Sequence, residues 1–365
     1  MAEEKSLNRR GFIKKAGAGA LLTGGMLAGA PAIAAKKRFR WKLTTTWPPN
    51  FPIFQEGVKQ FAKDVKKMSG GALNIQVFAS GELIPGLQTF DAVSQGSVQM
   101  GHGAAYYWIG KIPAAAFFTS IPFGLNAQGM NAWLYGGGGL ELWRELYAPH
   151  NLVPFPMGNT GVQMGGWFRK KINSMDDLKG LKMRIPGLGG KVMAKAGVNT
   201  VLLAGGEIYT ALERGTIDAT EWVGPYHDER LGLYRAAKYY YYPGWQEPGP
   251  TLELTVNKKA WDELPKELQL IVENAAMASN LRMLSEFEAK NLGALQTLKD
   301  KYKVKVEAFP DDVISKLRQY TQEVLDEEAS KDATFKRIYA EYSKFVSNNA
   351  QWNAISEAAY AKALK

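Results

Sequence analysis

The 365-residue chain contains no cysteine. Disulfides, thiol nucleophiles, thiolate zinc sites and cysteine-held iron–sulfur clusters are therefore excluded. Histidine is scarce: His102, His150 and His227 are the only three, and no pair has H-x-x-x-H spacing. Each reads as a structural histidine with its hydrogen bonds satisfied, His102 lying nearest the cleft argued for below. No G-x-S-x-G elbow is present, so an α/β-hydrolase nucleophile has no support. PGLGGK at 186–191 is followed by Val192 rather than Ser or Thr, and YGGGG at 135–139 stands outside any G-x-G-x-x-G context. Neither makes a phosphate loop. Basic residues exceed acidic ones by 45 to 35, but no Lys/Arg-rich run with interleaved aromatics occurs, which argues against a nucleic-acid partner. After the N-terminus no segment approaches ~18 uninterrupted apolar residues, the length a membrane span requires.

The N-terminus itself is informative. SLNRRGFIKK places Arg9 beside Arg10, an apolar run rich in Gly and Ala follows, and Ala32-Ile33-Ala34 ends it. Charged, apolar and A-x-A segments in that order form a secretory leader, and the paired arginines indicate the twin-arginine route. A retained membrane span is the weaker reading. Residues 1–35 are expected to be removed and the mature protein to reside in the periplasm. The first 34 residues carry five basic and two acidic side chains; without them 40 basic face 33 acidic, a balance of +7.

In the mature chain, FRWKLTTTWPP (39–49) reads as a strand, GVKQFAKDVKKMSGG (57–71) as an amphipathic helix with a glycine stop, and LNIQVFA (73–79) as a strand. This β-α-β order predicts an α/β domain. LQTFDAVSQGSVQMGHGAAYY (87–107) and GEIYTALERGTIDATEWVGPY (206–226) then follow one plan of helix, glycine, short strand and loop, aligned on Gly96 and Gly215. Both glycines fit the C′ position of a helix, where positive φ is cheap. One such unit in each of two lobes puts Tyr106 and Tyr107 on one side of a crevice and Glu221 and Trp222 on the other, since ligands bind beyond the carboxyl ends of the strands. A polar strand over 159–170 adds Asn159 and Gln163. The alternation of Leu252, Leu254 and Val256 returns the chain to the first lobe, 261–302 is helical, 303–309 is a last strand, and the rest is helical with Ile314, Leu317, Val324, Ile338, Tyr342, Phe345 and Trp352 on a core-like stripe.

Within LKGLKMRIPG (178–187), Leu181, Met183 and Ile185 alternate with Lys182 and Arg184 before Pro186-Gly187 closes the strand. Arg184 can stand there as a surface ion-pair partner. Among Trp47, Tyr106, Tyr107, Trp222 and Trp245, however, a guanidinium needs an anion, because an unpaired buried charge is costly. Its fork of donors matches a carboxylate bidentately, so the expected ligand carries one. If Glu221 and Glu247 share that cleft, the sum of Arg184, two glutamates and a monocarboxylate is −2. A hard cation with oxygen ligands from Gln163, Glu221, Glu247 and the Trp222 carbonyl restores the balance. Otherwise the glutamates face solvent or lysines. A glutamate pair also suggests a glycosidase, which nothing else in the chain supports.

The segments GELIPGLQTFDAVSQGSVQMGH, GNTGVQMGGWF, DLKGLKMRIPG, GGEIYTALERGTIDATEWVGPY and YYYYPGWQEPGP resemble those of TRAP transporter solute-binding proteins, over essentially the whole mature chain. GLKMR and ALERGTIDATEW are specific to that family. The likeness is strongest to members that bind 2-oxo acids such as pyruvate with a metal cation. The resemblance implies a two-lobed periplasmic-binding-protein-like α/β fold: a first lobe from 36–158 and 249–310, a second from 159–248, and a C-terminal helical segment, 311–365, that exchanges between subunits of a homodimer. It implies Arg184 on the substrate carboxylate, Tyr107 on the substrate, and Gln163, Glu221, the Trp222 carbonyl and Glu247 on sodium or calcium. Gln246 stands where those relatives carry a second tryptophan. The implied role is a receptor delivering a 2-oxo or 2-hydroxy monocarboxylate to the TRAP membrane permease. A dicarboxylate or sugar-acid receptor and an exported lyase or hydrolase are the alternatives.

Overall fold

A computed structural model describes residues 37–364; the twin-arginine leader lies outside the described residues. In chain order the strands are β1 (Phe39–Thr45), β2 (Leu73–Phe78), β3 (Met100–Gly103), β4 (Leu152–Asn159), β5 (Gly166–Phe168) and β6 (Lys182–Arg184). β7 (Asn199–Val201), β8 (Ala219–Thr220), β9 (Tyr239–Tyr242), β10 (Thr251–Asn257) and β11 (Lys305–Ala308) follow. They form two mixed sheets, ordered β2-β1-β3-β10-β4 and β11-β9-β5-β8-β6-β7. β1 is parallel to β2 and β3, whereas β10 runs antiparallel to β3 and β4. In the second sheet β5 is the strand that runs against its neighbours β8 and β9. The α/β two-lobed reading of the sequence is met.

The two helix–glycine–strand units match bond for bond. After the helix Thr89–Ser94, Gly96 has φ +79° and its N–H reaches Val93 O, while Ser97 N–H reaches Ala92 O. After Gly205–Glu213, Gly215 has φ +73°, its N–H reaches Leu212 O, and Thr216 N–H reaches Ala211 O. This is a Schellman ending in both places. It feeds β3 into the middle of the first sheet and β8 into the interior of the second.

Three connections join the sheets. The expected polar strand 159–170 is not continuous: β4 stops at Asn159 and β5 begins at Gly166, because positive φ at Gly161 and Gly166 turns the chain between them. Residues 160–165 cross beside 243–250, with Thr160 N–H on Pro250 O at 3.3 Å and Gln163 N–H on Glu247 O at 3.1 Å. A Cβ at Gly244 would meet the Gln163 carbonyl oxygen at 2.0 Å, so only glycine permits this approach. The third connection is the 35-residue helix Lys266–Asp300, about 52 Å long at 1.5 Å per residue. Its Asn280 accepts from Gly158 N–H near the first sheet and its Asn291 from Tyr226 N–H near the second. This helix delivers β11 to β9, so 305–308 pair in the second sheet and not with the first lobe as expected.

The C-terminal helices also touch both halves. Asp311–Lys331 carries Glu327 and Glu328, which pair with Lys195 and Lys191 at 2.6 Å. Ala333–Ile355 places Phe335 against Phe117 and gives the Tyr342 hydroxyl to Leu125 N–H at 3.0 Å. Leu317, Val324, Ile338 and Tyr342 are buried, Ile314 and Phe345 half-buried, but Trp352 is 64% exposed. The stripe therefore leaves the core before Trp352, where the helix runs past the body of the protein.

Candidate functional site

Arg184 ends β6 with its side chain buried, although its alternation with Met183 predicts the polar face. Its Nε donates to Leu203 O at 3.3 Å and its Nη1 to Glu221 O at 3.2 Å. Nη1 also forms an ion pair with Glu221 Oε1. The guanidinium lies 5.4 Å from the Trp222 ring centre. The partner that the sequence argument demanded of Arg184 is thus supplied in part from within the chain, by β8's continuation. Nη2 has no protein partner.

Glu247 and Gln163 come from the paired crossing segments. The Tyr106 hydroxyl donates to Glu247 Oε2 at 3.3 Å. Gln163 Nε2 donates to Thr160 Oγ1 at 3.3 Å, leaving Gln163 Oε1 without a partner, as is Glu221 Oε2. Tyr106 and Tyr107 lie on the turn Ala105–Trp108 of the first half, their rings 5.0 Å apart. Trp47 bridges the halves by meeting Tyr107 at 6.5 Å and Trp222 at 6.2 Å between ring centres. Arg184, Glu221, Trp222, Gln163, Glu247, Tyr106 and Tyr107 are therefore one buried cluster, drawn from both halves and from the crossing.

Two expected site residues have partners elsewhere in the chain. Asn159 donates from Nδ2 to Gly249 O at 3.0 Å and Thr251 Oγ1 at 3.3 Å, and accepts Gly161 N–H at 2.9 Å. Both of its polar atoms serve the crossing. Trp245, expected on the crevice wall, stacks on Phe123 at 5.6 Å. Gln246 donates to Met164 O at 2.9 Å and keeps a buried unpartnered Oε1.

Burial raises the Glu221 carboxyl to about 7 in spite of Arg184. Burial, then the Glu221 charge, pushes Glu247 well above the carboxylate range. Burial likewise lifts the Tyr107 hydroxyl to about 12. Two ionised glutamates against one arginine make a buried net charge of −1, which low dielectric penalises. Among the described residues Arg184 is the only cation acting on Glu221, Glu247, Tyr106 and Tyr107. Among the described residues no three His, Asp or Glu side chains are grouped to hold a metal. A cation here would draw on two carboxylates and neutral oxygens, and the unspent Glu221 Oε2 and Gln163 Oε1 fit that demand.

His102 is structural, as expected. It accepts the Trp47 indole N–H at 2.7 Å, faces Met157 O at 3.2 Å, and burial lowers it to about 4. His227 faces Pro52 O at 2.8 Å and is lowered by burial to about 3.

Sequence reasoning missed two buried carboxyls, Glu253 and Asp228. Glu253 had a signal: it is the only charged residue in TLELTVN. Asp228 had none, since HDER reads as a solvated helix surface. Burial raises Glu253 to about 7. Its folded value exceeds its unfolded one, so the folded chain holds the extra proton between about 4.5 and 7, and stability falls as pH rises through that window. Between pH 5 and 8 the wild type should lose on the order of 2 kcal/mol relative to Glu253→Gln. Urea unfolding at both pH values checks this; parallel losses in the two proteins refute it.

Two α/β halves joined by paired crossing segments, around a buried arginine and two carboxylates with unspent valences, define a ligand-binding receptor. The chain belongs to family 7 of the bacterial extracellular solute-binding proteins, which matches residues 43–332, and it is a TRAP-type solute-binding receptor. It is 50% identical, over 93% of its length and 91% of the relative's, to a monocarboxylate 2-oxoacid-binding periplasmic protein of Nostoc sp.. A TRAP periplasmic solute-binding protein of Pseudoalteromonas atlantica, solved with sodium and pyruvate, superposes with a TM-score of 0.87 at 46% identity, covering 89% of this chain and 99% of that one. One from Bordetella bronchiseptica, a dimer with copurified calcium and picolinate in one site and the other apo, gives 0.88 at 42% identity, covering 90% and 97%.

Proposed function

We propose that this receptor binds a small 2-oxo or 2-hydroxy monocarboxylate of the pyruvate class together with sodium or calcium, and hands it unchanged to the membrane permease. The observation that carries this reading is the buried Arg184 with Nη2 unspent beside two buried carboxyls. The ligand carboxylate would take Nη2 and the Tyr107 hydroxyl would meet its far side. Glu221, Glu247, Gln163 and the Trp222 carbonyl would hold the cation, whose positive charge allows both glutamates to remain ionised beside an anion. The named ligands of the Nostoc, Pseudoalteromonas and Bordetella proteins support the same class. A single cationic side chain in the cluster favours a monocarboxylate over a dicarboxylate or sugar acid.

The moving parts are taken to be two lobes, one from 36–158 with 249–300, the other from 159–248 with β11, closing about 160–165 and 243–250. Ligand favours closure by its differential affinity for the closed form. Export to the periplasm would use the twin-arginine leader. Denaturing the purified protein and weighing what it releases tests the ligand class: a 2-oxo or 2-hydroxy acid, unchanged after prolonged incubation, is expected. A released product differing from the acid supplied would replace the receptor with an exported enzyme.

The C-terminal helices are proposed to make a homodimer. Trp352 and Ile355 in the last turn of one helix, and Tyr360 and Leu364 in and just after the next, Glu357–Ala363, are 64–74% exposed, apolar surface that a monomer rarely leaves uncovered. Light scattering on Trp352→Asp/Ile355→Asp should give monomers where the wild type gives dimers; an unchanged mass removes this face from the interface.

A further inference from the structure

The cluster stands on two carboxyls that do not belong to it. Glu253, in β10, accepts the Trp108 indole N–H at 2.5 Å and the Tyr147 hydroxyl at 2.9 Å. Asp228, in the helix Pro225–Leu231, accepts the Trp167 indole N–H at 2.9 Å and the Tyr240 hydroxyl at 2.7 Å. Among the described residues neither forms an ion pair. Each half of the protein thus repeats one arrangement of carboxyl, indole and phenol.

Each carboxyl grips a segment that carries cluster side chains. Trp108 closes the turn Ala105–Trp108 that presents Tyr106 and Tyr107, and its ring lies edge-on to Tyr107 at 6.0 Å. Asp228 Oδ1 also accepts Val223 N–H at 3.1 Å, one residue beyond Glu221 and Trp222. Apolar packing alone lets aromatic rings slide, whereas a buried hydrogen bond to a carboxyl is directional and costly to leave unmade. We propose that Glu253 and Asp228 are positioning residues, one for each half of the binding site, fixing Tyr106–Tyr107 and Glu221–Trp222 before the halves meet. This rests on the reading of those four residues as ligand or cation contacts.

Calorimetry with pyruvate in calcium, on the full mature chain, tests it through Trp108. Glu253→Met removes both acceptors at similar length. Glu253→Gln keeps an oxygen for the indole and can donate to Tyr147. Trp108→Phe removes only the donor. Glu253→Met and Trp108→Phe should each raise Kd about tenfold, by analogy with the loss of groups that orient metal ligands. The double variant should be no weaker than Glu253→Met, and Glu253→Gln should stay within twofold of wild type. For the other half, Asp228→Leu removes the acceptor of Val223 N–H and should raise Kd about tenfold, while Asp228→Asn keeps an oxygen for it and should stay within twofold of wild type. Additive losses, or Glu253→Met and Trp108→Phe both within twofold of wild type, overturn the proposal. Amide exchange at 105–108 in the ligand-free proteins gives a second decision, independent of which acid binds. Faster exchange in Trp108→Phe but not in Glu253→Gln supports the clamp, and unchanged exchange overturns it, even where Glu253→Met fails to fold. Wild type that binds no pyruvate rejects the ligand reading, and the exchange result then decides this one separately.

Discussion

Arg184→Ala is expected to weaken pyruvate binding by about a thousandfold or more, the scale for truncating one partner of a buried, hydrogen-bonded charge pair. Among the described residues the variant deletes the only cationic side chain acting on the cluster. It also strands Glu221, which forms its ion pair with Arg184. The fold should survive this loss. Glu221 already sits at about 7 through burial, so without the guanidinium it takes a proton and buries as a neutral acid. A small change in Tm with a large loss of binding is therefore the expected pair of results. Arg184→Lys separates charge from geometry. Three directions are asked of the guanidinium: Leu203 O, Glu221 and, through Nη2, the ligand. An ammonium keeps the charge but has no planar fork to span all three, so Arg184→Lys should recover only part of the affinity. Calorimetry at fixed calcium reads both, and wild-type affinity in Arg184→Ala would mean that the acid does not lie on this side chain.

Where the sequence was legible, the reason was local. Helix, C′ glycine and short strand are tied together by bonds spanning five residues, from Ser97 to Ala92 and from Thr216 to Ala211, and such short-range chemistry leaves its mark in residue order. The position of Arg184 at the end of β6 was legible for the same reason. Its burial was not. β6 is only three residues long, and its polar face is covered by β8's continuation and by Leu203, neither of which is near it in sequence. The crossing at 160–165 was hidden because GVQMGGWF alternates as a strand does while Gly161 and Gly166 hold positive φ. β11 pairs with β9 some sixty residues earlier, a choice made by the length of Lys266–Asp300 and not by anything in KVKVEAF. Asn159 shows a different difficulty: amide side chains suit ligands and backbone turns equally well, and here Gly161, Gly249 and Thr251 bond to it. Glu221 and Glu247, which the sequence brings together only through the resemblance, are both buried and act on each other. Burial of both is affordable only where something positive stands between or beside them.

That last condition leads to the expected effect of removing the cation. Stripped with a chelator and returned to sodium- and calcium-free buffer, the wild type should bind pyruvate about a hundredfold more weakly, the upper range of coupling between two sites. Without the cation the ligand is a third carboxylate beside Glu221 and Glu247, and one of the two has to hold a proton to admit it. Burial and the Glu221 charge already hold the Glu247 carboxyl well above its ordinary range, so that proton goes most readily to Glu247. Coupling is reciprocal, so pyruvate must tighten the cation by the same factor; measuring both arms closes the cycle. Glu247→Gln supplies the missing neutrality by substitution. It should bind pyruvate with little dependence on the cation, since one carboxylate against Arg184 leaves the cluster neutral before the acid arrives. Gln163→Leu instead leaves the charges in place and removes the unspent Oε1, so it should weaken the cation without freeing pyruvate binding from it. Pyruvate affinity that is equal with and without cation in the wild type would show that the two carboxylates are neutralised by protons alone.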